Sequence, residues 1–245
     1  GKILHDAIAH DVREGVAYAP NGVLARYVHG KYVIDPYVVQ NRVNDILRPS
    51  HNIAPIHTNK VMHDLEGTLP RLSYEQPPEG LINLENGLYN YNRNTLEPHS
   101  PELATLIQLP IWYNPEATCP IFDDFIAKII PQTNTEDNLK LIWEVIAYLL
   151  LHGNPMQRAV LFYGNGSNGK SSFINIMEHL VGKQNCSNIT LTQMSRIFEP
   201  AELLGKQLNT VGDLDLQFLQ ETESFKRLTG GDPITAQMKN KDPFT

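Results

Sequence analysis

One octapeptide constrains this chain more than any other feature. Gly164-Asn165-Gly166-Ser167-Asn168-Gly169-Lys170-Ser171 satisfies the spacing G-x-x-x-x-G-K-S. Glycines let a backbone curl until several N–H groups point inward, and a helix that starts at the same place turns its positive dipole end toward them. Such a cradle suits phosphate oxygens. Lys170 then reaches the outer phosphates as a mobile cation, and the Ser171 hydroxyl is placed to hold a bridging Mg2+, with Ser172 closing the loop segment. The context matches the chemistry: an apolar run, Ala159 to Tyr163, predicts a strand before the loop, and Lys170 to Leu180, closed by Gly182, predicts a helix after it. A plain glycine turn is the bland alternative, and it leaves that strand-loop-helix order unexplained.

A nucleotide hydrolase also needs an acid at the end of a neighbouring strand. Lys206 to Val211 predicts a second buried strand, and Leu208-Asn209-Thr210-Val211-Gly212-Asp213-Leu214-Asp215 offers two carboxylates beyond it. Asp213 is the first candidate to hold the metal or orient water and Asp215 the second, against the alternative that both are turn residues. Further along, Lys226, Arg227, Lys239 and Lys241 against Asp232 and Asp242 leave a net +2 within an acidic chain. Lys226, Lys239 and Lys241 are candidates to grip a phosphate backbone; a solvated loop is the plain alternative.

Strand, glycine loop, helix, helix, strand is the order that predicts an α/β core, a parallel sheet with flanking helices. The rest of the 245-residue chain is read from punctuation. Arg26 to Ile34 alternates around His29-Gly30 and predicts a hairpin; Asp35-Pro36 opens a helix to about Leu47, and a short helix is expected after Thr58. Residues 73–131 are rich in proline and asparagine and read as short strands and loops with turns at Asn86-Gly87 and Asn114-Pro115. Thr133-x-x-Glu136 is a capping-box candidate for an apolar helix running to about Leu151. The resulting division is an accessory region over 1–75, a connector over 76–131 and the loop-bearing domain over 132–245.

Charge and cysteine content narrow the class. With 20 Lys plus Arg against 27 Asp plus Glu the net charge is −7, which argues against coating nucleic acid through overall charge and leaves local basic elements as the route. Two cysteines, Cys119 and Cys186, exclude a disulfide framework and a cysteine-based zinc site, and point to a reducing, cytoplasmic setting. No apolar run has the roughly 18–20 residues that a bilayer requires. His51, His57 and His63 repeat every six residues, a spacing that fits neither one helix face nor a zinc pattern. Tyr27, Tyr32 and Tyr37 suit base stacking or a hairpin core equally. Because the chain opens on Gly1, it reads as a fragment or a processed chain.

Taken together these residues resemble the helicase part of phage and plasmid primase-helicases, superfamily 3 helicases of the AAA+ class. Leu161 to Ser172 resembles that family's Walker A, Asn209 to Leu214 its Walker B, and Phe225-Lys226-Arg227-Leu228-Thr229-Gly230-Gly231-Asp232 its motif B prime. Leu84-Glu85-Asn86-Gly87-Leu88, His99-Ser100-Pro101 and Tyr113 to Pro120 resemble the segment ahead of the core. The resemblance covers about Leu81 to Thr245 and extends more loosely to Tyr27-Val28-His29-Gly30-Lys31-Tyr32. It implies an AAA+ core, here truncated before the sensor and arginine-finger motifs, preceded by a smaller α+β region for which a winged-helix-like arrangement is one option. It also implies ATP with Mg2+ as cofactors, single-stranded DNA as partner, a homo-oligomeric and usually hexameric ring, and a primase domain ahead of this region in related full-length proteins.

Two other readings stay open on the residues. A small-molecule P-loop kinase needs an arginine-bearing lid, and after the loop the chain offers Arg196 and Arg227 alone. A DNA-binding or assembly module that holds nucleotide without turning it over uses the same loop and needs no downstream motif.

Overall fold

His29 and Gly30 both lie at positive φ, 46° and 95°, the signature of a two-residue turn whose twist matches a β-hairpin. They join β2 (Leu24–Val28) to β3 (Lys31–Ile34) in antiparallel register, Val28 opposite Lys31, as the sequence predicts. This computed structural model describes residues 4–72, 80–103, 105–131, 133–196, 198–212, 222–232, 234–238 and 243–244. The chain divides into two units: Gly1–Gln76 with His99–Leu106 and Phe244, and Pro77–Pro98 with Ile107–Pro243 and Thr245. Among the described residues no helix is long and apolar enough to cross a membrane.

In the first unit β1 (Val16–Tyr18) completes an antiparallel sheet ordered β1-β2-β3. Alternation along the strands splits its side chains between two cores. Val16 and Leu24 face α1 (His5–Val12), α2 (Val38–Leu47) and α3 (Pro55–Leu65), where Val12, Val39, Val43, Val61 and Leu65 are almost fully buried. Ala17, Ala19, Ala25 and Tyr32 form the other cluster with Leu72. Tyr32 donates its hydroxyl to the Pro101 carbonyl at 3.1 Å and meets Tyr27 edge-on, so both serve the hairpin core, whereas Tyr37 is exposed. At the end of α1 the Arg42 guanidinium donates to the carbonyls of Val12 and Glu14, at 2.6 and 2.5 Å, giving that helix terminus a cation. α3 begins at Pro55, three residues before Thr58, because proline at the first helical position supplies a preset φ and needs no N–H partner.

The second unit opens with the antiparallel sheet of β4 (Leu81–Leu84), β5 (Gly87–Asn90) and β6 (Thr95–Glu97). Its first turn is Glu85-Asn86 and not the Asn86-Gly87 expected: Gly87 already belongs to β5, where a Cβ would come 2.6 Å from the Glu97 carbonyl. Asn86 instead uses its side-chain amide as a strand would, donating to Tyr113 O at 3.1 Å and accepting from Tyr113 N at 3.0 Å. At Asn114 the expected turn forms, with the side chain accepting from Glu116 N.

Four local expectations need correction. The connector contains a helix, α4 (Pro120–Ile129), which proline opens and the apolar spacing of Phe122, Phe125, Ile126 and Ile129 seats on the core. Thr133 and Glu136 form no capping box; α5 (Thr135–Leu150) starts after Asn134 at φ 55° with no side-chain cap, and Asn138 reaches back to the Thr133 carbonyl. Residues 159–163 form no ladder with any described residue, since an apolar run becomes a strand only where a neighbour offers its backbone groups. The strand expected over 206–211 shrinks to β8 (Leu208–Asn209), parallel to β7 (Cys186–Ser187).

β8 is short because side chains finish what the ladder begins. Asn209 accepts from Ser187 Oγ and Ile189 N, at 2.8 and 2.9 Å, and donates to Ile189 O at 2.9 Å. Just ahead of it, Gln207 donates to Leu149 O at 3.1 Å and to Leu151 O, closing the end of α5. Ahead of β7 lies α6 (Lys170–Val181), and between β7 and β8 lies α7 (Leu191–Met194) with a complete Thr190/Gln193 capping box; α8 (Thr222–Gly230) is the last helix among the described residues. α6 buries Phe173, Met177 and Val181, at the spacing of one helix face. The first two pack on α4 and α5, the third on the β4–β6 sheet. Phe173→Ala should therefore lower the unfolding free energy by about 3–5 kcal/mol in urea titrations, the cost of a large core cavity.

Candidate functional site

The glycine loop and α6 meet at Gly169, whose φ of +82° bends the chain into the first helical turn. Only glycine is unstrained there, and the surroundings add a second reason. A Cβ at 169 would lie 2.6 Å from Ile129 Cγ2, with Phe125 Cε2 at 3.6 Å, so the turn is pressed onto α4. Phe173 N donates to Gly169 O at 2.9 Å, the first bond of the helix. The residues on either side of this turn remain open: Gly164, Asn165, Gly166, Ser167 and Asn168 are exposed, as are Ser171 and Ser172.

Lys170 organises the loop. Its ammonium donates to Gly164 O at 2.8 Å, Asn165 O at 3.0 Å and Asn168 Oδ1 at 2.8 Å, so the loop wraps around a cation. Ser167 sits at φ 59° and completes the curl. Ahead of the loop Phe162 turns inward and meets Phe173 edge-on at 5.3 Å, while Leu161 and Tyr163 are 70% and 95% exposed. The loop is thus anchored at both ends on α6.

The segment leading to the predicted acids is tied to the same helix. Thr210 donates to Glu178 Oε1 at 2.6 Å and accepts from Asn188 Nδ2 at 2.6 Å, with Glu178 on α6. Asp213 and Asp215 themselves lie outside the described residues, as do Lys239 and Lys241. Lys226 is exposed on α8, and Arg227 beside it is also exposed. The geometry therefore assembles residues 164–172 with Lys170 as one site and leaves the acids and two of the three lysines without a described position. Phe125 and Ile129, the hydrocarbon floor under Gly169, are not among the residues that the loop motif predicts; the apolar spacing after Pro120 is their signal in the sequence.

This set of groups suits an anion. It combines a primary ammonium, two hydroxyls in a first helical turn and the positive end of a helix of 12 residues. The donor chemistry would suit a triphosphate with Mg2+, for which Lys170 would supply the cation and Ser171 the oxygen ligand.

Comparison with known families gives two matches. Residues 39–131 match the family model described as "D5 N terminal like", and residues 162–245 match a family of unknown function, DUF5906. The first match supports a relationship to the phage and plasmid primase-helicases whose motif order the sequence resembles. The second begins at Phe162 and takes in the whole glycine loop.

Replacing Gly169 by Ala should cost about 1–2 kcal/mol for the left-handed φ alone, plus roughly 1–3 kcal/mol for crowding. Measured in the Ile129→Ala background, Gly169→Ala should cost the torsional share alone, as read from denaturation midpoints of the parent, both single variants and the double variant.

Proposed function

We propose that this chain is the nucleotide-handling portion of an ATP-dependent DNA helicase of the primase-helicase kind. The observation that carries the reading is the loop 164–169, which opens the N-terminus of α6 with the Lys170 ammonium at its centre. The relationship over 39–131 and the order of motifs after the loop support it. In this reading residues 132–245 are an AAA+ core of superfamily 3 type that works as a homo-oligomeric, hexameric ring on single-stranded DNA.

The roles follow from the chemistry. The loop backbone and Lys170 bind phosphate oxygens, which exchange with the three oxygens that the ammonium now contacts. Ser171 holds Mg2+ together with the acidic pair, Asp213 as first candidate and Asp215 as second; the same pair orients the attacking water, and Ser172 shapes the end of the loop. ATP supplies the driving force when its terminal phosphate is cleaved. Lys226, Lys239 and Lys241 neutralise DNA phosphates, which an acidic chain can do only through local charge.

The deciding experiment is nucleotide affinity and ATPase turnover of the chain and of Lys170→Ala, each with and without single-stranded DNA. Lys170→Ala should weaken ATP binding by about ten- to a hundredfold, the usual effect of removing a charged donor from phosphate. Equal affinity in a folded variant overturns the phosphate-loop assignment. Binding with no turnover, even with DNA and even when the sequence is extended past Thr245 to supply the sensor and arginine-finger motifs, replaces the helicase reading with a nucleotide-holding assembly module.

On single-stranded DNA, the slope of log affinity against log salt should fall by roughly 0.7 for each of Lys226→Ala, Lys239→Ala and Lys241→Ala. A slope indifferent to a given substitution removes that lysine from the DNA contact.

A further inference from the structure

The C-terminal end of α8 is finished by side chains from a distant part of the sequence. Gly231 lies at φ +77°, and Asp232 N donates to Arg227 O at 3.0 Å, a left-handed helix cap that leaves the last carbonyls in need of donors. Two side-chain amides supply them: Asn154 Nδ2 donates to Thr229 O at 3.1 Å, and Gln157 Nε2 to Gly230 O at 2.8 Å. Both belong to the segment that runs from α5 into the glycine loop.

That segment is itself well held. Asn154 Oδ1 accepts from Arg158 N at 3.0 Å and from the Tyr148 hydroxyl on α5, and Tyr148 Oη accepts from Met156 N at 3.2 Å. Further on, the Phe162 contact with Phe173 fixes the same segment to α6 just before Gly164. A short stretch of chain pinned at 154–157 and at 162 therefore joins the end of α8, which carries Lys226, to the start of the loop that Lys170 organises. Four residues, 158–161, separate the two pins, so a displacement at one end has a short covalent path to the other.

We infer that Asn154 and Gln157 are positioning residues that couple occupancy of the 164–172 loop to polyanion contact on α8. The inference rests on the function proposed above and adds to it a route between its two ligands. Neither residue touches nucleotide or DNA; they act by holding the α8 terminus to the lead-in of the loop. Coupling of this kind is reciprocal, so nucleotide changes DNA affinity by the same factor by which DNA changes nucleotide affinity.

The test is the affinity of a fluorescein-labelled oligo-dT for the chain, by anisotropy, with Mg2+ and with or without saturating ATP. The variant is Asn154→Asp with Gln157→Met. Asp keeps the acceptor for Arg158 N and Tyr148, so the local turn survives while both donors to α8 are lost. Gln157→Met alone, at an exposed position, serves as the milder second variant. The ratio of the two DNA affinities is internal to each protein, so a static change in charge cancels. We expect a ratio of about fivefold or more in the parent chain, a reduced ratio in Gln157→Met, and a ratio within about twofold of unity in the double variant with ATP affinity retained. An unchanged ratio in the double variant overturns the proposal, as does a parent chain that binds both ligands with a ratio of one. A parent chain that binds no ATP overturns the phosphate-loop reading and this proposal together, and so separates that failure from the first two.

Discussion

The apolar stripe of α6 sets the terms for the second unit. Phe173, Met177 and Val181 are buried by two different clusters, the first two against α4 and α5 and the third against the β4–β6 sheet. A helix held along one face by both neighbours cannot roll or slide, so its first turn is presented in one orientation. Ser171 and Ser172 point away from that stripe and stay exposed, which is what separates the gripping part of the helix from the working part. The glycine loop inherits its position from this arrangement: it leaves Phe162, which packs on Phe173, and returns to Gly169, which rests on Ile129.

Local signals in the sequence were sufficient wherever the structure is local. The His29-Gly30 hairpin, α2 and α6 with its closing Gly182 follow from turn chemistry and helical spacing that need no distant partner. The glycine loop is legible for the same reason, as a run whose residue types have few other uses. Elsewhere the outcome depends on who the neighbour is. Residues 159–163 have the composition of a strand and no ladder with any described residue, while Leu208–Asn209 has a polar interruption and does pair, because Asn209 lends its own amide to Ser187 and Ile189. Thr133 and Glu136 carry the letters of a capping box and lose to Asn134 at positive φ; Thr190 and Gln193 form one unannounced. Alpha4 was hidden by the proline and asparagine around it, although Pro120 is the residue that starts it.

Side-chain amides recur in this unit where backbone pairing stops. Asn86 mimics a strand toward Tyr113, Gln207 closes the end of α5, Asn209 extends a two-residue strand, and Asn185, 2% exposed, bridges Gln108 O and Val181 O, both at 2.8 Å. Buried backbone groups must find partners, and an amide offers a donor and an acceptor without bringing charge into the core. Short strands and an irregular middle region are compatible with a stable unit on that condition.

The floor beneath Gly169 has a further consequence. Ile129 and Phe125 place hydrocarbon, a medium of low dielectric, against Gly169 at the start of α6. On that side the partial positive charge of the helix end is less screened by water, so more of its field reaches the open face of the loop. Mobile salt ions reach such a field from one side only. An anion drawn to these amides would therefore be less sensitive to ionic strength than one paired with an exposed side chain such as Lys226 of α8, and a single rise in salt would separate the two kinds of contact.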